Sequence, residues 1–133
     1  MTYLLDTNIC IQYLNGRSET IRQRMESSRP QDIVMCSVVK AELFYGVVKS
    51  TRPEKNREKL DEFLSRFVSL PFEDNAAEVY GKIRKELEER GKPIGPNDLM
   101  IAAIAVANDL TLVTHNTAEF KRIKELQVED WES

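Results

Sequence analysis

Apolar residues in this chain fall into two alternating kinds of block: short unbroken runs, and longer stretches in which they recur every three or four positions. The first kind comprises Tyr3-Leu4-Leu5, Ile33 to Cys36, Phe67 to Leu70 and Leu110 to Val113. Runs of this length between polar or turn residues predict strands buried on both faces. A weaker fifth strand is expected near Val128. The second kind follows the runs. Thr7 and Asn8 can cap a helix carrying Ile9, Tyr13 and Leu14 before Gly16 stops it, and Ser18 opens another that carries Ile21 and Met25 and ends near Ser28-Arg29-Pro30. Ser37 caps a third helix running to about Lys49, and Pro53 stands in the first turn of a fourth that includes Leu60, Phe63 and Leu64. Asp74 begins a fifth, through Ile83 and Leu87, closed by Gly91 and the Pro93-Ile94-Gly95-Pro96 loop. From Asn97 to Asn108 nearly every residue is apolar, so that helix must be buried. A short helical turn from Ala118 to Lys121 precedes the last strand.

Strands alternating with helices at these spacings imply right-handed crossovers, and hence an α/β fold: a three-layer α/β/α sandwich around a central, mostly parallel sheet. Pro71 marks the third strand as an edge. In open sheets of this kind ligands bind beyond the carboxyl ends of strands, near a reversal of strand order. Strand one ends at Asp6, strand two at Ser37 with Glu42 a turn and a half further on, and strand four at Thr114 and Asn116. Asp98 lies in the first turn of the buried helix.

At 133 residues the chain fits one domain, 1–133. It has no apolar run near the roughly 18 residues that cross a bilayer, and its MTYLLDTN start lacks the features of a signal peptide. A cytoplasmic protein without a membrane partner is expected. Cys10 and Cys36 sit among apolar residues and read as free buried thiols. With His115 the lone histidine, nucleophilic triads have little to work with, so the chemistry should rest on carboxylates. The net charge of −3 argues weakly against a nucleic-acid partner. That objection softens because acids gathered around a cation are neutralised by it, and because RNA responds to the local distribution of Lys and Arg.

Taken singly, Asp6 reads as a strand-end or capping acid, and Asp98 as a first-turn acid gaining from the helix dipole. Glu42, between Ala41 and Phe44, is harder to dismiss, because an unpaired carboxylate is costly to bury. Together the three make an oxygen-only ligand set suited to Mg2+ or Mn2+.

Leu4-Leu5-Asp6-Thr7-Asn8, Ser37 with Glu42, Pro96-Asn97-Asp98, Thr114-His115-Asn116-Thr117-Ala118-Glu119-Phe120 and the closing Glu129-Asp130-Trp131 appear in order across essentially the whole chain. This ordered set resembles the PIN-domain family and, more narrowly, the virulence-associated protein C (VapC) toxins of type II toxin–antitoxin modules. The resemblance implies a PIN-like sandwich, a Mg2+- or Mn2+-dependent endoribonuclease, structured RNA as substrate with transfer RNA favoured, a VapB-type antitoxin that reaches the active-site groove, and a homodimer. It assigns Asp6, Glu42 and Asp98 to the metal, and Asn116 to a position where many relatives carry a fourth acid. An amide oxygen can take a metal or its water but adds no charge, so the number of metals stays open. Glu119 is a candidate to replace the missing carboxylate, or a solvated surface charge; Thr7, Asn8 and Thr114 read as groups steadying the acids, or as caps. Hydrolysis by water activated at the cation would leave 5′-phosphate and 3′-hydroxyl ends. His115 reads as a strand-end loop residue, with proton carriage the alternative.

Basic residues such as Arg52, Lys55, Lys82 and Lys85 could contact phosphates, yet interleaved glutamates describe ordinary solvated helix faces equally well. Ile21, Met25, Leu60 and Phe63 offer an apolar stripe for the antitoxin, though core and homodimer interface are the alternatives. Two other functions compete. A phosphoryl-accepting receiver or phosphatase-like domain would want paired acids after strand one and a late-strand Lys, where this chain has Asp6 alone and Thr114-His115-Asn116. A non-catalytic PIN-like RNA-binding or scaffold module would have no need of all three central acids.

Overall fold

The computed structural model describes residues 2–132. Among them five strands, β1 (Tyr3–Leu5), β2 (Ile33–Cys36), β3 (Val68–Leu70), β4 (Thr111–Val113) and β5 (Gln127–Glu129), make one sheet in the order β3-β2-β1-β4-β5. Every pairing is parallel. β3, beside Pro71, is an edge, as the proline suggested. The helices are α1 (Thr7–Leu14), α2 (Glu19–Ser27), α3 (Ser37–Val48), α4 (Pro53–Leu64), α5 (Asp74–Glu89), α6 (Pro96–Ala107) and α7 (Thr117–Phe120). Right-handed crossovers put α1 to α4 over one face and α5 to α7 over the other. No helix among the described residues is long and apolar enough to cross a membrane.

The elements begin where local chemistry allows. The side chain of Asp6, rather than Thr7 or Asn8, caps α1 by accepting from the Thr7 amide, and Cys36 rather than Ser37 stands at the head of α3. Only Asp6 separates β1 from α1, and β2 runs directly into α3, so the junction residue takes the capping position. Gly16 and Gly91 follow α1 and α5 with φ of 64° and 67°, the left-handed geometry glycine adopts without a steric penalty. A 3-10 turn at Pro30–Asp32, which hydrophobic periodicity cannot reveal, leads into β2.

β2 is buried throughout, as are Leu99 and Ile101 to Ala105 of α6. Cys10 and Cys36 are free and buried. The stripe considered as an antitoxin dock belongs to this core: Ile21, Met25, Leu60 and Phe63 are at most 7% exposed. Aromatic stacking accounts for part of it, since the Phe63 ring lies 5.6 Å from Tyr13 and 5.2 Å from Phe67. Beyond β5, Trp131 is buried, packs edge-on against Tyr3 and donates from Nε1 to Glu129 Oε1 at 2.9 Å.

Candidate active site

From β1 the chain winds outward to β2 and β3, then returns to the other side of β1 for β4 and β5. The reversal of strand order therefore lies between β1 and β4, and its carboxyl end is where a ligand crevice is expected. Asp6 follows β1 there, its amide donating to the Val113 carbonyl at 2.9 Å. Thr114, fully buried after β4, donates from Oγ1 to Asp6 Oδ2 at 2.8 Å, and the Thr7 amide donates to Asp6 Oδ1 at the same distance.

The other acids arrive from separate helices. Glu42, half-buried in α3, accepts from Thr7 Oγ1 at 2.6 Å. Asp98, half-buried in the first turn of α6, lies within electrostatic reach of Asp6, Glu42 and Glu119, and in its protonated form donates to Glu119. Glu119, on α7, accepts in turn from Asn116 Nδ2. The Asn116 amide nitrogen is held by Thr114 Oγ1 at 3.0 Å. Asn8 is exposed and, among the described residues, makes no side-chain hydrogen bond. The structure thus brings Asp6, Glu42, Asp98 and Glu119 to one edge, with Thr7, Thr114 and Asn116 bonded to three of them.

The electrostatics record the crowding. Burial raises the carboxyl pKa of Asp6, the bonds from Thr114 and Thr7 oppose it, and the charges of Glu42 and Glu119 raise it further. Asp98 is pushed up to about 7, first by burial and then by Asp6, Glu119 and Glu42. The raised carboxyls of Asp6 and Asp98 mark a crowding of acids that a divalent cation would relieve. Its donors are all oxygen, the preference of Mg2+ and Mn2+. The residues fit the ion.

His115 is engaged with Asp130 at 3.2 Å and Glu132 at 3.1 Å. Sequence reasoning found no partner for it, because the partners lie 15 and 17 residues away and arrive through the β4–β5 register, which sets Val113 beside Glu129. Also unforeseen is a groove of about 280 Å3 whose lining includes Ile11, Leu14, Leu43 and Val47 together with Glu42.

Residues 3–126 match the PIN domain family. The chain is 45% identical over 133 residues to "Ribonuclease VapC2" of Rickettsia felis, covering 99% of each protein. It is 40% identical over 131 residues to the "tRNA(fMet)-specific endonuclease VapC" of Shigella flexneri, covering 98% of each. Among solved structures it resembles VapBC2 from Rickettsia felis bound to a DNA fragment from their promoter, with a TM-score of 0.92, 44% identity and coverage of 98% of this chain and 99% of that one. A PIN match over almost the whole length, joined to close likeness in sequence and fold to these ribonucleases, shows that this chain belongs to the PIN-domain family and, within it, to the VapC group.

Proposed function

We propose that this protein is an endoribonuclease toxin that cuts structured RNA, transfer RNA above all, with Mg2+ or Mn2+ held by Asp6, Glu42, Asp98 and Glu119. The observation that carries this reading is the meeting of four carboxylates from β1, α3, α6 and α7 at the one sheet edge where strand order reverses. The names of the VapC relatives support RNA as substrate, and the tRNA(fMet)-specific endonuclease supports transfer RNA.

When bound, a divalent cation supplies the Lewis acidity that activates water and offsets charge building on the phosphate. The chain's own residues prepare for it. Thr114 and the Thr7 amide fix the two oxygens of Asp6, Thr7 Oγ1 fixes Glu42, and Asn116 steadies Glu119. Asn116 therefore positions the fourth carboxylate rather than replacing it. No protein nucleophile is required.

A VapB-type antitoxin would find its seat in the groove beside Glu42, since a segment lying there would meet an apolar lining and reach that acid. The action belongs in the cytoplasm, where both partners are made, and a homodimer is consistent with the exposed Tyr45 and Val48.

The test is incubation of the purified protein with total bacterial RNA in Mg2+, Mn2+ or chelator, with every new end mapped. Cuts that require metal, carry 5′-phosphates, fall in one transfer RNA and drop at least a hundredfold in Asp6→Asn are expected. Equal cutting by Asp6→Asn would leave a non-catalytic RNA-binding module as the better reading.

A further inference from the structure

We propose that His115, Asp130 and Glu132 form a second metal site, for a transition cation of the Zn2+, Ni2+ or Co2+ kind, which clips the turn between β4 and α7 to the segment after β5. The parallel register that pairs Val113 with Glu129 carries His115 alongside Asp130 and Glu132. Nδ1 of His115 lies 3.2 Å from Asp130 Oδ2 and 3.1 Å from Glu132 Oε2, and one ligand atom from each residue falls within 4.8 Å of the others. Adjacent ligands about 2.1 Å from one ion in octahedral or tetrahedral array stand roughly 3.0–3.4 Å apart, the range in which both separations from Nδ1 fall.

Hydrogen bonding alone serves the trio poorly. A single Nδ1–H points along one direction, while two carboxylate oxygens face that nitrogen; a cation satisfies all three lone pairs together. Asp130 is already aimed, because its Oδ1 accepts from the Glu132 amide at 2.8 Å and leaves Oδ2 toward the imidazole. The side chains of His115, Asp130 and Glu132 are 62%, 20% and 31% exposed, so an ion enters directly from solvent. An imidazole with two carboxylates favours Zn2+, Ni2+ or Co2+ over Mg2+, which separates this site chemically from the all-oxygen cleft. Its place in the chain gives it an effect: Thr114 and Asn116, the residues flanking His115, hold Asp6 and Glu119.

The experiment uses the one tryptophan, Trp131, which stands between Asp130 and Glu132. Ni2+ bound there quenches its fluorescence. Titration of the full chain with NiCl2 should give saturable quenching, displaced by Zn2+ and indifferent to Mg2+. Half-quenching should need at least tenfold more Ni2+ in His115→Gln and in Asp130→Asn, and an unchanged concentration in Asp98→Asn. Thermal unfolding checks that each variant is folded; His115, being exposed, keeps the test open should Asp130→Asn fail to fold. Two outcomes overturn the proposal: His115→Gln quenched at the unmodified midpoint, which means an ion pair only, or loss of quenching in Asp98→Asn, which places the ion in the catalytic cleft.

Discussion

Thr114 has no exposed surface, donates to Asp6 and accepts from the Asn116 amide, so one hydroxyl joins the acid of β1 to the turn that presents Glu119. Thr114→Val keeps the shape and removes both bonds. It should lower stability by about 1–3 kcal/mol in urea unfolding and slow RNA cleavage at least tenfold. Asp98 makes a prediction of opposite sign. Its carboxyl stands at about 7, against an ordinary 3.8, so ionising it opposes folding. Without divalent cations the stability this group allows is full below pH 4 and is lost as pH rises from there through 7. Asp98→Asn in chelator should therefore be more stable than the unmodified protein at pH 8, by roughly 1–2 kcal/mol once solvent screening is allowed for, with the gap closing toward pH 4. Denaturant titrations across that range would measure it. Asp6 and Asp98 were legible in the sequence because each stands at a predicted element end, and Glu42 because a carboxylate among apolar helix residues is costly to bury unpaired. The role of Asn116 was not, because residue type gives no sign that its amide grips Glu119.

Nearly every helix and strand could be read from periodicity, and α6 most surely, because a stretch apolar all round has no stable place except the interior. The caps of α1 and α3 escaped that reading, since a side chain's hydrogen-bond target depends on the angle at which strand meets helix. So did the destination of the α2 and α4 stripe. Amphipathic spacing shows that a face is apolar; it does not show what covers it. Phe63, 1% exposed, settles the point by burial. Phe63→Ala should cost about 3–5 kcal/mol in unfolding experiments on the protein alone, whereas a residue kept for a partner would cost almost nothing there.

The parallel sheet followed from the alternation of elements, but the order β3-β2-β1-β4-β5 did not, because nothing local in a three-residue strand names its neighbours. That order decides which acids meet. Mg2+ at ten times its dissociation constant should add about 1.4 kcal/mol and raise the melting temperature by roughly 3–6 °C, a rise that Asp6→Asn removes. The same order governs timing. Asp6 leaves the ribosome well ahead of the hydroxyl that fixes it, which is 108 positions behind, and Glu119 follows later still. A growing chain therefore stays harmless until Thr114 and Glu119 have been translated, and a stop codon ahead of them yields an inert fragment instead of a weaker poison.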